Sequence, residues 1–572
     1  MSAENEKGTG ISGSVEEIVS AYREMEMGAR RYLGFVVLPL FFFFLLIVGA
    51  VIFIQPAAII SALLSLLGIF AIIVAVVYPK VSLESRKTEI NEKFHIYLTH
   101  MTVLSTTNID RVEVFRELSK EEEYGEIAKE TRRIIEIVET WNQSLDDACK
   151  RRSKKVPSDM MSDFLDRLAY TMRAGRELNS FLVREQENML DEYVTMYNGE
   201  LDNLDVLKDL YLSMVLSTSF GMVFAVILPI LTDTDPTIVV AVVVVIFGFI
   251  QMGFLYAISV TVPHDPVWYI PDETKTDASK TIRRTVAVAV VVSFGLAAGV
   301  VGVYFGVAPF AFGQYPMPMY LAVAVSPFLI PGILIRRLEK GVTKRDEVFP
   351  EFVRGLGSVE SAKQTTTTDV LKDLRKKDFG NLTPEINNLY KRLNMRIEPS
   401  GAWKRFTYEC GSYLIQKFSS MYLVGREMGG DPRHLGELIS ENFSVALNLR
   451  ENRKRMTVTI IGVLYGMTAA MSFALFLGVE IVRILTEVSS DFELSEMGFG
   501  QLLYPGIYNL QQIGMLILVV VLLNAIFSSL MIRSIDGGHK ANASLHFVAL
   551  TWLGCGIGIG TARAVDGLIT VG

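Results

Sequence analysis

The sequence predicts an all-α polytopic membrane protein, with about nine transmembrane helices and two duplicated cytoplasmic helical bundles. Three observations predict it: nine long apolar runs nearly free of charge, the confinement of Lys and Arg to alternate inter-span segments, and a residue pattern that occurs once in each of the two longest of those segments. Composition agrees. Half of the 572 residues are hydrophobic, 20% are charged and mean hydropathy is +0.34, a balance that excludes an ordinary soluble enzyme and a mostly disordered chain. With 62 acidic against 55 basic residues and a net charge of −7, the chain is not one that coats nucleic acid by neutralising phosphates. Cys149, Cys410 and Cys555 are too scattered for a metal-ligand set or a disulfide framework.

About 20 apolar residues let a helix cross the hydrocarbon core. Runs of that kind fall at 33–54, 57–78, 210–231, 237–262, 285–312, 318–335, 456–482, 512–532 and 546–562, the last being Gly-rich (GCGIGIG). The first, opening YLGFVVLPLFFFFLL, is too long and too closely followed by the second to be a cleaved signal peptide, so it reads as an anchor. The spans form transmembrane pairs at 33–78, 210–262, 285–335 and 456–532, with 546–562 as a ninth helix. Placing the N-terminal segment 1–32 in the cytoplasm puts 79–209, 263–284, 336–455 and 533–545 on the same side, and those five segments hold 53 of the 55 Lys and Arg. Only Arg483 and Arg563 fall toward the outside, and the external loop 484–511 has neither Lys nor Arg. The C-terminus is then external.

Segments 79–209 and 336–455 are each long enough for a small domain, and both carry helical stripes. In the first, Met161, Phe164, Leu165, Leu168 and Met172 lead to Gly175, after which Leu178, Phe181, Leu182, Met189, Tyr193 and Met196 continue. In the second, Tyr413, Leu414, Phe418, Met421 and Tyr422 lead to Met428-Gly429-Gly430, followed by Leu435, Leu438, Ile439, Phe443 and Leu447. Phe94 is expected to open a helix leading to Val114-Phe115-Arg116-Glu117-Leu118 and Tyr124-Gly125-Glu126-Ile127. Phe349 likewise leads to Val370-Leu371-Lys372-Asp373-Leu374 and Phe379-Gly380-Asn381-Leu382. Shared order and spacing, each copy flanked by span pairs, make this a duplication of span–span–bundle–span–span. Leu118 and Leu374, and Gly125 and Gly380, are expected to be equivalent.

Duplicated helical bundles between spans, each with a Gly-marked turn before an amphipathic helix that leads into the next span (Arg173-Ala174-Gly175-Arg176-Glu177 and Met428-Gly429-Gly430-Asp431), resemble the type II secretion F-domain family. These are platform proteins of type IV pilus-like machines, and the nine spans and chain length look most like the archaellum members. The resemblance implies a multi-pass, homodimeric protein of the cell membrane that catalyses nothing itself. It also implies partners: a hexameric secretion ATPase docking on the cytoplasmic bundles, and pilin- or archaellin-like filament subunits.

The residues agree that energy must come from elsewhere. There is no phosphate-binding G-x-x-x-x-G-K-[ST] loop, H-E-x-x-H, G-x-S-x-G or Cys/His cluster, and so no cofactor or metal is expected. His100, beside Met101 and Tyr97, reads as a packed histidine. The N-x-[ST] matches at Asn142, Asn381, Asn442 and Asn542 fall on the cytoplasmic side, where glycosylation is not expected. Charge singles out a docking candidate. Segment 79–209 holds 20 basic and 27 acidic residues, and 336–455 holds 23 and 16. Lys372, Arg375, Lys376, Lys377, Lys391, Arg392, Arg396, Lys404 and Arg405 crowd one stretch of the second, with Lys150, Arg151, Arg152, Lys154 and Lys155 as the secondary cluster of the first. Each also reads as a solvated or headgroup-facing surface. Arg453-Lys454-Arg455, abutting a span, reads as a topology signal alone. Gly462, Gly466, Gly478, Gly554, Gly556, Gly558 and Gly560 are expected to permit close helix approach. A secondary transporter with large cytoplasmic inserts is the alternative, supported by Pro309, Pro327 and Pro331 in the spans. Against it, Glu480 and His546 are the only ionisable residues the spans offer, both near their ends. A signalling receptor would need an output motif, and none is present.

Overall fold

The computed structural model describes scattered positions between 32 and 48, and residues 83–107, 109–232, 234–269, 277–304, 316–491 and 509–571. The expected spans 33–54, in large part, and 57–78 lie outside the described residues, as does the end of 285–312 beyond residue 304. The other seven coincide with seven helices long and apolar enough to cross a membrane, the Gly-rich 546–562 among them. Among the described residues every regular element is helical, and Trp268 and Ser412 form an isolated antiparallel bridge. The chain makes two compact units, Met1–Leu190 and Asp191–Gly572.

In the first unit, α1 (83–105) is followed by α2 (Arg111–Lys120), α3 (Glu126–Trp141), α4 (Leu145–Ser153), α5 (Asp159–Arg173) and the start of α6 (Leu178–Ile227). Asp110, Ser144 and Ser158 cap α2, α4 and α5 by accepting first-turn backbone N–H groups. Phe94, Phe115, Ile134, Phe164, Leu168 and Leu182 form a fully buried core, and His100 packs into it with Nδ1 2.9 Å from the Tyr124 hydroxyl. Phe94 does not open a helix but lies midway along α1, because no Pro or Gly between Leu83 and Phe94 interrupts it.

The second unit continues with α7 (Pro236–Thr261), α8 (Asp277–Tyr304), α9 (Met317–Val325), α10 (Leu329–Lys363), α11 (Thr367–Leu374), α12 (Thr383–Asn394), α13 (Pro399–Cys410), α14 (Tyr413–Glu427), α15 (Pro432–Asp491), α16 (Leu510–Asp536) and α17 (Ala543–Val571). Phe349 also lies inside a helix: α10 runs from its span into the bundle straight through Pro350, which only leaves the Asp346 carbonyl without its helical donor. Helix α15 has 60 residues, about 90 Å at 1.5 Å per residue, roughly three times the hydrocarbon thickness. One rod therefore supplies bundle core (Leu435, Ile439, Phe443) and span core (Ile460, Leu464, Met471, Leu475).

Two features hold the spans of this unit together. Gly554 of α17 lies where a side chain would meet Val521 and Ser472, and Gly558 where it would meet the Phe476 ring. Gly478 has only ordinary contact with Val223, whereas Gly462, Gly466, Gly556 and Gly560 meet nothing close among the described residues, so within these the expected close approach is confined to a few of the glycines. A polar network also crosses four helices. Tyr211 donates to Gln251 (2.9 Å), Gln251 to Asn524 (3.0 Å) and Asn524 to Thr468 (2.9 Å), all of them buried. Such bonds join helices where apolar burial supplies no driving force.

The two bundles share one order of elements, including a 3₁₀ turn at Glu122–Tyr124 and at Gly380–Leu382. Phe94, Tyr97, Tyr124 and Gly125 each match the residue 255 positions on: Phe349, Phe352, Phe379 and Gly380. The Tyr97–Tyr124 rings meet edge to face at 5.6 Å, the Phe352–Phe379 rings at 5.7 Å. Both glycines have positive φ, 59° and 54°. Leu118 is fully buried and Leu374 half-buried. After α5 and α14 the same Schellman bonds close the helix, Arg176 N–H to Thr171 C=O and Gly430 N–H to Gly425 C=O.

Candidate docking surface and bundle–span junction

The basic stretch of the second bundle lies on α11, α12, α13 and their turns. Lys372, Arg375, Lys376, Lys377, Lys391, Arg396, Lys404 and Arg405 are exposed, and Arg392 is half-buried in an ion pair with Glu409. Lys376 reaches Asp373 at 2.8 Å, Lys377 pairs with Glu351, and the Arg375 guanidinium stacks 4.4 Å from the Tyr390 ring. Hydrogen bonds from Lys363 and Lys376 hold the Asp373 carboxyl down at about 2. Lys372, Lys391, Arg396 and Arg405 make no ion pair among the described residues, so this face carries uncompensated positive charge.

The secondary cluster divides. Arg151, Lys154 and Lys155 are exposed, and Arg151 stacks 4.5 Å over the Trp141 ring. Lys150 reaches Asp166 at 2.6 Å. Arg152 belongs to the bundle interior: its Nε donates at 3.0 Å to the buried Glu130, which also pairs with Arg133 and lies 3.8 Å from Arg86.

A second constellation, not expected from the sequence, sits in the second unit where bundle and spans meet. The segment 263–269, which follows α7, is held from three sides. Tyr269 N–H donates to Gly411 C=O (3.0 Å) and Tyr413 N–H to Val267 C=O (3.2 Å), while Trp268 Nε1 donates to Glu339 (3.1 Å). Arg450 of α15 clamps Asp265 with two 2.7 Å bonds, donates to Asp346 of α10 at 3.0 Å and to the Pro266 carbonyl at 2.8 Å. Arg453, one turn on, is buried and donates to the carbonyls of Ile535 (2.6 Å) and Asp265 (3.1 Å). It is therefore a structural tie, and not a topology signal alone. Burial pushes the Asp346 carboxyl up to about 6, and the nearby Asp265 carboxylate adds to the rise, against the pull of Arg450 and the Ser412 hydroxyl. A signal was available: Arg450 and Arg453 continue the buried stripe of Leu435, Ile439, Phe443 and Ala446, and a cation on a core-facing stripe calls for a buried partner.

Helices α10 and α15 each run from bundle core to span and are tied together at Arg450. Residues 97–229 match the family described as type II secretion system, protein F. The chain is 32% identical to flagella accessory protein J of Methanocaldococcus jannaschii over 92% of its own length and 93% of that protein. It is also 32% identical to flagella accessory protein J of Methanococcus voltae, over 86% and 88%. No solved structure matches it. With likeness of that extent to both relatives, and the F-domain match over the first bundle, the chain belongs to the flagella accessory protein J family, multi-pass membrane proteins of the type II secretion F-domain platform group.

Proposed function

We propose that this platform couples a cytoplasmic hexameric secretion ATPase to insertion of archaellin- or pilin-like subunits into a filament, with the two bundles in the cytoplasm and the protein acting as a homodimer. The observation that carries the reading is the bolted continuity of α10 and α15, which pass from the core of the second bundle into the membrane and meet the loop after α7 at Arg450 and Arg453. A push on that bundle moves the spans with it. The basic face of α11–α13, on which Lys372, Lys391, Arg396 and Arg405 make no ion pair among the described residues, is the ATPase contact, steered by charge and therefore weakened by salt, because exposed charges are screened beyond about 10 Å at 0.1 M. Rotation of the bundles and displacement along the membrane normal are both compatible with this linkage.

The test is reversal of Arg375, Lys376 and Lys377 to Glu. ATPase co-purification and filament number should fall sharply while membrane insertion and abundance hold. Undiminished binding and assembly would move the contact to the first bundle. Reporters near Glu121, Lys376 and Lys540 should read cytoplasm, and those near Glu493 and the C-terminus outside; an external signal at Lys376 sinks the arrangement.

A further inference from the structure

We infer that each bundle presents, at the same turn of its fold, an apolar anchor beside basic residues that seats an apolar pocket in an acidic face of the ATPase. The identity of that partner rests on the function proposed above. The turns are those between α3 and α4 and between α12 and α13. Trp141, Asn142, Ser144 and Arg151 match the residues 254 positions on: Met395, Arg396, Glu398 and Arg405. Asn142 and Arg396 take the same left-handed backbone, φ 51° and 57°, so the turn is conformationally one feature. Immediately before each stands a large side chain turned out to solvent, Trp141 at 59% and Met395 at 65% exposure, with Ile397 at 36% beside the latter.

A single exposed apolar residue needs no explanation. Here the exposure recurs at one register in bundles whose sequences have otherwise diverged, and packing requires it in neither. Basic neighbours recur too. Arg151 stacks on the Trp141 face and makes no ion pair among the described residues, which holds the ring in one orientation before any partner arrives. Arg396 stands in the second turn, and Arg405 of α13 takes the register of Arg151; both are without ion pairs among the described residues. Tryptophan and arginine together are the side chains that most often dominate protein interfaces.

Lipid is disfavoured as the occupant of the second turn by its position. Arg345, close to the span end of α10, donates to the Cys410 carbonyl (3.2 Å) and pairs with Glu385 (2.8 Å), whereas Glu360, near the other end, accepts from Tyr422 (2.8 Å) and Arg426 (2.8 Å). The Cys410 end of α13 and the Glu385 end of α12 therefore lie on the span side. The turn at Met395–Ile397 joins their opposite ends and so points away from the bilayer.

The experiment uses the full-length protein in nanodiscs and the purified secretion-type ATPase of the same organism, titrated at several salt concentrations. Trp141→Ser and the double variant Met395→Ser/Ile397→Ser should each weaken binding about tenfold or more. The salt slope should stay unchanged, because no charge is removed, and so should the melting profile. Combined, the losses should multiply. Wild-type affinity in both variants overturns the inference, and if Arg375/Lys376/Lys377→Glu still abolishes binding, the proposed function survives without it. Absence of any ATPase binding by the unmodified protein overturns both. A bimane label on a Met395→Cys variant should be unaffected by brominated lipid, and quenching would overturn the inference by placing the turn on the membrane.

Discussion

The first and second bundles fold in the same order yet use their charges in opposite ways. In the first, many cations turn inward or pair, although Arg151, Lys154 and Lys155 stay exposed: Arg152, Arg133 and Arg86 surround buried Glu130, Arg86 and Lys129 hold Glu126, and Arg167 holds Glu185. In the second, Arg345 pairs with Glu385, the residue matching Glu130, Arg426 with Glu360, and several cations of the outer face remain unpaired. Packing differs as well. At Gly357 and Gly436 the backbones of α10 and α15 touch, the Cβ position of Gly436 lying 3.2 Å from the Gly357 Cα, where the first bundle has Thr102 and Leu182, both buried. Duplication preserved turns and helix order, which local sequence dictates, while each copy found its own solution for core volume and charge.

The comparison breaks most visibly under matched charge reversal. Lys150, Arg151 and Arg152 to Glu in the first bundle places a new carboxylate against buried Glu130. Removing one partner of a buried pair costs about 3–5 kcal/mol, so this variant should lose abundance and its cooperative melt. Arg375, Lys376 and Lys377 to Glu alters exposed pairs, each worth about 1 kcal/mol at most. Thermal unfolding of the two purified proteins separates the cases, and equal loss in both would show that the second face is not a free surface.

Next in size are volume changes at the register shared by Leu182 and Gly436. Leu182→Ala empties a fully buried site and should destabilise the first bundle by about 2–5 kcal/mol. Gly436→Ala should cost about 1–3 kcal/mol by the opposite route, pushing a methyl against the Val353 carbonyl (2.9 Å from the Cβ position) and the Gly357 backbone. Denaturation midpoints measure both, and tolerance of Gly436→Ala would mean that the α10–α15 contact can spread without loss.

These outcomes also bear on what was legible. Seven of the nine expected spans, the helix order and the repeat were readable because they rest on local periods: apolar runs, three- and four-residue stripes, and Gly at turns with positive φ. Arg152 and Arg151 are adjacent in a charge run, yet one faces Glu130 and the other solvent, a difference that helix phase alone could have suggested. The Arg450–Asp265 clamp joins residues 185 apart, and no local pattern names its partner. The helix starts expected at Phe94 and Phe349 were missed because both helices pass unbroken beyond the repeat.

A subtler contrast is in pH. Asp346 lies at the junction in the second unit, where burial pushes its carboxyl up to about 6, above the usual carboxylate range. The folded form therefore binds more protons than the unfolded one between about pH 4 and 6. Its contribution favours folding most at the acid end of that window and is lost as pH rises through 6. The melting temperature should therefore gain from acidification between pH 7 and 5 in the wild type relative to Asp346→Asn, because other titrations cancel in the difference. Parallel profiles for the two proteins would mean that Arg450 keeps Asp346 ionised throughout.

The smallest expected effect tests whether the two matched turns differ only in side chain. A non-Gly residue in the left-handed region costs roughly 1–2 kcal/mol, less for Asn, and Gly returns about 0.5–1 kcal/mol of that as unfolded-state entropy. Arg396→Gly should thus raise stability by up to about 1 kcal/mol, whereas Asn142→Gly should be close to neutral. Both melts are read on the purified protein, beside ATPase affinity. A gain in stability coupled to weaker binding for Arg396→Gly alone would mean that the second bundle keeps a strained arginine at its tip for recognition, which the first bundle, with its asparagine, does not need. Equal gains at both turns would remove the side chain as the distinguishing feature and leave their surroundings as the difference.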